Sequence, residues 1–441
     1  MKEKVDNYQM KILIKFPSRA RGDQFLYVLS KYVNKANDTS ALSFLITADV
    51  DDESMVSNEI HIKELLRGIE HKVIYGKSDN KIHAVNRDME HAGEYDILLL
   101  ASDDMHPIVD GYDEVIRLRM KETYPDLDGV LWFNDGHAEN NLNTLVCMGK
   151  AYYNRFGYIY NPIYKSFFCD NEFMDVANRL GKQTYFSECI IEHKHPSWDK
   201  HIPEDTLYKV NQKYWDEDER TYLHNKVYDY DLSVLIVSIR ERHTLLTCLL
   251  QELRRQKAEC GLRIEILTNI DNREKPIGKK RSELIHRAKG KYCCFIDDDD
   301  EVSPCYFQEI EKALKSATEI DCVSMLGMLY ENGKPQKPFV HSINFDTYFS
   351  DEDGHYRPPN HLNPILTGYA RRIGFVDANK LEDCHFALRL AHAKLLKNEA
   401  KVERILYHYF YVKKTTDKLT EEEVKLKHDM ILEHLDALTS A

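Results

Sequence analysis

The sequence predicts an α/β protein made of two tandem, doubly wound, mostly parallel (Rossmann-like) sheets. Three observations lead there. Short β-branched runs alternate with stretches whose apolar residues recur at three- and four-residue spacing, the pattern of strands joined by crossover helices. The same order of elements occurs twice along the 441 residues, an internal duplication at the level of fold. In both copies a buried apolar run stops abruptly in carboxylates, Ser102-Asp103-Asp104 and Asp297-Asp298-Asp299-Asp300.

Each copy opens on a strand. The first is Met10-Lys11-Ile12-Leu13-Ile14-Lys15-Phe16, running into Pro17-Ser18-Arg19-Ala20-Arg21. The second is Leu232-Ser233-Val234-Leu235-Ile236-Val237, running into Ser238-Ile239-Arg240-Glu241-Arg242. Near-continuous apolar runs suit parallel strands buried on both faces. Helices are expected next, over 23–34 and 244–256. A further strand ends at Ala48-Asp49 in the first copy and at Asn269-Ile270-Asp271 in the second. A polar loop then enters a basic helix, over 82–92 and 282–288, each expected to close on glycine, at Gly93 and Gly290. The strands that carry the carboxylates follow, over 96–101 and 292–296. Residues 215–231 are charged and Tyr-rich with little apolar periodicity, and read as the connector. That gives domains of 1–222 and 223–441.

Hydrophobic residues make up 43% and charged residues 30%, an ordinary balance that excludes chain-wide disorder. Seventy-three acidic against 60 basic residues, a net −13, count against coating nucleic acid through bulk charge. Apolar runs such as Ile97-Leu98-Leu99-Leu100-Ala101 fall far short of the about 20 residues a bilayer span needs, so no membrane span is expected. The opening Met1-Lys2-Glu3-Lys4-Val5-Asp6 has no apolar stretch behind its charges and does not read as a secretory leader. Ten cysteines without a regular framework or zinc spacing read as reduced core thiols, which leads us to expect a cytoplasmic chain.

The carboxylates carry the chemistry. Ligands of open α/β sheets bind outside the carboxyl ends of the strands. Aspartate oxygens suit hard divalent cations, Mn²⁺ or Mg²⁺, which neutralise phosphate oxygens. Neither copy has a Gly-rich phosphate loop, so the cluster points to a diphosphate leaving group held through a metal. The competing reading of one isolated Asp-Asp is a helix cap or a solvated turn; its repetition at the same place favours a site.

The succession of strand, polar loop, basic helix and strand into Asp-Asp resembles the nucleotide-sugar-binding half of GT-A-fold glycosyltransferases of the large inverting family two. Lys279-Lys280-Arg281…Ala288-Lys289-Gly290-Lys291-Tyr292 is similar to that family's approach to its "DXD" motif. The resemblance spans most of both halves and leaves the connector and the last helix outside it. It implies two tandem GT-A domains that use nucleotide-sugar donors, UDP-sugars first, with Mn²⁺ or Mg²⁺ as cofactor. By resemblance, donor contacts fall to Pro17, Ser18, Arg19, Asp49, Lys81 and Asp103 in the first half. In the second they fall to Ser238, Arg240, Asp271, Lys279, Arg281, Asp297 and Asp298. Metal ligands would be Asp104, Asp299 and Asp300, joined by His408 in the second half and by His193 or His195 of Glu192-His193-Lys194-His195-Pro196 in the first. Glu382-Asp383 resembles the family's base motif, which makes Asp383 the acceptor base with Glu382 in reserve. The first half lacks that pair and has a shorter carboxylate motif. There Asp170, with Glu172 in reserve, is the candidate base, or the half serves as an acceptor-binding scaffold.

Two acceptors remain open: a glycan, or a hydroxymethylated base of viral DNA, since the opening Ile14-Lys15-Phe16-Pro17-Ser18-Arg19 resembles phage-encoded transferases. The abundance of Tyr and Phe (27 and 17) suits stacking on sugars or on bases. Two other classes compete. A nucleotidyltransferase making the activated sugar should open with a Gly-rich loop after its first strand, which neither half has. A non-catalytic protein built from degenerate domains is the other.

Overall fold

The structure, a computed structural model, describes residues 9–195 and 206–411. The opening Met1–Asp6 stretch and Pro196 of the histidine motif lie outside the described residues. The chain divides into two compact units, Met1–Lys226 and Val227–Ala441.

In the first unit the strands are β1 (Ile12–Ser18), β2 (Leu42–Asp49), β3 (Glu70–Gly76), β4 (Ile97–Leu100), β5 (Met105–Pro107), β6 (Val130–Phe133), β7 (Cys147–Gly149), β8 (Gln183–Phe186) and β9 (Ile191–His193). Seven of them form one sheet in the order β3-β2-β1-β4-β7-β6-β8. The β3–β2, β2–β1, β1–β4 and β6–β8 pairs are parallel, and β7 runs antiparallel to both neighbours. Ile12, Ile14 and Phe16 point to one core, with Phe25, Val28 and Leu29 of the helix Gly22–Asn34. Leu13 joins the opposite core with Ile82 and Val85. Both faces of β1 are therefore covered, which is why its sequence is apolar without alternation. A small ribbon pairs β5 with β9.

The second unit continues with β10 (Tyr230–Ile239), β11 (Ile264–Asp271), β12 (Gly290–Phe295), β13 (Glu301–Val302), β14 (Cys322–Val323), β15 (Met325–Glu331), β16 (Lys334–His341), β17 (Phe349–Ser350), β18 (His355–Arg357), β19 (Ile365–Leu366), β20 (Glu399–Ala400) and β21 (Tyr407–Tyr411). Its main sheet is ordered β11-β10-β12-β19-β14-β20. Again the first three strands are parallel, the fourth (β19) is antiparallel to both neighbours, and the last pair is parallel. This is the strand order of the first unit without β3. The duplication read in the sequence is a duplication of topology.

Several expectations are corrected. Residues 215–225 are not a connector: Trp215–Asn225 is a helix of the first unit. Its Asp218, fully buried, accepts the backbone N–H groups of Lys165, Ser166 and Phe167 at 2.9, 2.7 and 2.8 Å. Its packing face is aromatic, with Trp215 against Phe167 and Tyr222 against Phe168, so an aliphatic period never appears. The basic helices do not close on glycine. The first is Lys81–Asn86; Asp88 then turns left-handed at φ 70°, its carboxylate taken by the Thr47 hydroxyl at 2.7 Å. The second spans Ile277–Arg287, and Ala288 is already extended. Gly290 begins β12, where a Cβ would meet the Ser233 nitrogen at 2.6 Å; closeness to β10, not a cap, requires the glycine. The second unit also carries a six-stranded sheet, β13-β21-β15-β16-β18-β17, that the sequence reading did not foresee.

Candidate active site

Both sets of carboxylates stand where the central parallel strands end. In the first unit Asp103 follows β4 and is 4% exposed. It accepts Ser18 Oγ at 3.2 Å, from the end of β1, and Arg21 at 2.6 Å, from the following turn. Burial pushes its carboxyl up, against the pull of Arg21. Asp104 accepts from Ser102 Oγ at 2.5 Å and faces His193 of β9, Oδ2 to Nε2, at 3.7 Å. On the other side of that ring, Nδ1 lies 3.8 Å from Asp135 Oδ2. Burial opposes charge on His193, but the two carboxylates outweigh it and raise the imidazole to about 9. Asp135 is itself fixed by the amides of His137 and Ala138 (2.9 and 2.7 Å) and by Thr144 Oγ1 at 2.6 Å.

The end of β2 carries Asp49, which pairs with Arg19; Arg19 also reaches Asp51 at 3.0 Å. Lys81 starts its helix on the surface, within electrostatic reach of Asp104 and Asp170. Asp170 lies in the first turn of the helix Cys169–Arg179, which starts after Phe168 in a left-handed conformation, φ 59°. Burial raises its pKa. Glu172, also raised by burial, accepts from Asn161 at 3.1 Å. His195 lies past the end of β9, its ring 5.4 Å from that of His193; burial and the neighbouring imidazolium lower it to about 4.

The second unit repeats the serine–arginine–aspartate part of the arrangement. Asp298, 3% exposed, accepts from Ser238 Oγ at 2.5 Å and from Arg242 at 2.7 Å, and burial again pushes its carboxyl up. Asp271 ends β11 as Asp49 ends β2, and pairs with Lys280 at 2.7 Å. Asp383 lies in the first turn of the helix Glu382–Ala393, entered through left-handed Leu381, φ 63°. This helix leads to β20, which runs parallel to β14, as Cys169–Arg179 leads to β8 beside β6. Asp170 and Asp383 are therefore topological equivalents, with Cys169 at the place of Glu382.

The side chains meant to join the second set are sorted differently. Glu382 is buried and ion-paired to Arg281 at 3.1 Å, and Arg281 also reaches Asp297 at 2.9 Å. His361 adds a contact to Asp297 at 3.5 Å. Asp300 is bound into the sheet, accepting the Tyr407 hydroxyl at 3.0 Å and the Phe410 amide at 3.1 Å. His408 does not face the carboxylates: it bonds Ser303 Oγ at 3.2 Å, on the face of β21 opposite Tyr407. Lys279 and Arg240 are exposed, and Lys280, one residue on, is the lysine that reaches the strand ends, at the Ser238 carbonyl. Pro17 is a strand residue of β1. Sequence reasoning missed Arg21, Arg242, Asp135 and His361. Arg21 and Arg242 carried a signal, each three or four residues after the serine that shares its aspartate.

Among the described residues no three His, Cys, Asp or Glu side chains form a ready-made metal cluster. Mn²⁺- and Mg²⁺-type sites that also take substrate phosphates need fewer protein ligands, with waters filling the rest. On that chemistry the first unit fits: Asp104 and His193 face each other closely enough to share one ion, with Asp135 behind the imidazole as metal-binding histidines require. The second unit does not fit. Arg242 lies 2.7 and 3.1 Å from Asp298 and Asp299, Arg281 and His361 hold Asp297, and the sheet holds Asp300.

No protein-family profile and no curated protein sequence matches this chain. Solved structures do resemble parts of it. A mannosyltransferase from Pyrobaculum calidifontis in complex with GDP-Man and Mn²⁺ is similar over 49% of this chain and 64% of its own, at 10% identity and TM-score 0.39. Residues 1–349 of S. aureus TarS in complex with UDP-GlcNAc are similar over 46% of this chain and 66% of theirs, at 13% identity and TM-score 0.30. Glucosyl-3-phosphoglycerate synthase from Mycobacterium tuberculosis, with Mg²⁺ and UDP, is similar over 47% and 77%, at 9% identity and TM-score 0.34. This chain spans less than two thirds of the length of the first two.

Proposed function

We propose that the protein is an inverting, nucleotide-sugar-dependent glycosyltransferase with two GT-A-type domains. One observation carries this reading. The same constellation recurs in both units: a buried aspartate just past the strand that pairs parallel with the first (β4 and β12), tied to a serine and an arginine from the first strand's end, with a second aspartate in the first turn of a later helix. Buried carboxylates poised by guanidinium groups at a strand-end crevice suit a ribose and a diphosphate. Asp383, and Asp170 in the first unit, then serve as base. The acceptor hydroxyl oxygen attacks the anomeric carbon, the bond from that carbon to the diphosphate oxygen breaks, and the hydroxyl proton passes to the aspartate. One displacement inverts the centre without a covalent sugar–enzyme intermediate. In the first unit a divalent ion on Asp104 and His193 would supply charge for the departing diphosphate.

The acceptor is a glycan or a hydroxymethylated base in DNA. The test incubates the full chain with UDP- and GDP-sugars and Mn²⁺, offering oligosaccharides or hydroxymethylated DNA, and reads products by mass spectrometry. A glycosylated product with inverted linkage supports the reading; nucleotide monophosphate transfer to a sugar phosphate would replace it with a nucleotidyltransferase. A second reading has its own observation. Cys169 stands where the second unit has Glu382, so the first unit lacks the buried Glu–Arg tie beside its base. On that reading it binds acceptor and the second unit alone transfers.

A further inference from the structure

The two units match so closely that the positions where they differ are informative. Ser18 and Ser238, Arg21 and Arg242, Asp103 and Asp298, Asp170 and Asp383 correspond pairwise. It follows that Asp104 corresponds to Asp299 and Met105 to Asp300. In the first unit Met105 of β5 pairs with His193 of β9. In the second, Glu301 and Val302 pair with His408 and Tyr407. Continuing that antiparallel register by one residue sets Asp300 opposite Tyr409. The place of His193 is therefore taken by Tyr409, and the nearby histidine that the sequence offers, His408, is one residue out of register and turned to the other face.

The change at this position is accompanied by others. Behind His193 stands Asp135, 2% exposed, its carboxylate oriented by two amides and Thr144 and turned to the ring's Nδ1. Such a carboxylate fixes the tautomer and orientation of a metal-binding imidazole. In both units an arginine holds the first buried aspartate, Arg21 on Asp103 and Arg242 on Asp298; in the second, Arg242 also lies 3.1 Å from Asp299, the counterpart of Asp104, and Arg281 pairs with Asp297 and Glu382. A guanidinium does the charge neutralisation that a divalent ion does elsewhere.

We propose that the described residues hold a single divalent-cation site, in the first unit, ligated by Asp104 and His193 with Asp135 as the positioning residue, while the described carboxylates of the second unit are neutralised by Arg242 and Arg281 and take no divalent ion. The proposal deepens the glycosyltransferase reading and rests on it for the role of the ion, but the count of ions is independent of any transfer.

The test is Mn²⁺ binding to the full chain, alone and with UDP, followed by electron paramagnetic resonance. One Mn²⁺ per chain is expected, with a pulsed-EPR coupling to one imidazole nitrogen. His193→Ala should abolish that coupling and weaken Mn²⁺ at least tenfold. Asp135→Asn should weaken it about 10- to 100-fold while thermal unfolding of the variant shows the fold retained. Asp299→Asn should leave the count and coupling unchanged. Two Mn²⁺ per chain, none, or a site lost in Asp299→Asn but kept in His193→Ala would overturn the proposal. If one Mn²⁺ binds as described and no nucleotide sugar binds or reacts, the functional reading fails and the metal assignment stands.

Discussion

At the residue scale, two neighbouring carboxylates of different length lie in different surroundings in space. Glu382 and Asp383 are neighbours, yet Glu382 is ion-paired to Arg281, and on the proposed mechanism Asp383 is the base. Asp383→Asn keeps the shape and removes the basicity, so the second unit's transfer rate should fall about 10²–10⁴-fold with calorimetric donor affinity nearly unchanged. Equal loss of affinity and rate would make Asp383 a donor or structural residue. Lys15 gives a second prediction. It lies fully buried in β1, bonded to Thr47 and to the Arg87 carbonyl at 2.8 Å, and burial lowers its pKa to about 7. Between about pH 7 and 10 the unfolded chain holds a proton there that the folded chain has released, so folding should gain stability as pH rises, at up to about 1.4 kcal/mol per pH unit. The second unit has Leu235 at this register. Lys15→Leu should flatten that part of the stability profile, measured by denaturant unfolding across the range; an unchanged slope would contradict the burial argument. The aspartates at strand ends were legible because composition changes sharply there. Arg21, Arg242 and Asp135 were less so, since nothing in one sequence says which arginine of a polar loop folds back onto a carboxylate.

At the element scale, strands whose two faces are covered were the most legible, because continuous apolar runs leave no alternative. β1, β2, β10 and β11 fall where the runs are, extended by two or three residues through Ser18, Asp49, Ile239 and Asp271. Edge elements were less so: β3 is half-exposed along its length. The β15–β16 hairpin turns on Asn332-Gly333, both with positive φ, a dipeptide that marks such turns although the strands beside it carry little apolar pattern. Register was the least legible property, as His408 shows: one residue along β21 exchanges one face for the other. A close contact also fixes where Arg281 stands. A Cβ on Gly278 would sit 1.9 Å from the Val376 carbonyl oxygen, on the loop that leads to Glu382 and Asp383. Gly278→Ala should force the helix Ile277–Arg287 off that loop at a cost of about 1–3 kcal/mol, lowering the unfolding midpoint. An unchanged midpoint would show that the loop yields freely.

At the scale of the whole molecule, the duplication organises everything else. It was readable because each copy repeats the same order of apolar runs and carboxylates, although the side chains filling equivalent places have diverged. If each copy is a transfer site, the two are separable by substituting equivalent residues. Asp103 and Asp298 are the pair to use, since each is buried at the centre of its own set of hydrogen bonds. Donor turnover by the full chain and by Asp103→Asn and Asp298→Asn, resolved product by product in the mass spectrometer, tests this most directly. The account predicts two transfers in the parent chain and the loss of a different one in each variant. Loss of the same single product in both variants would contradict it.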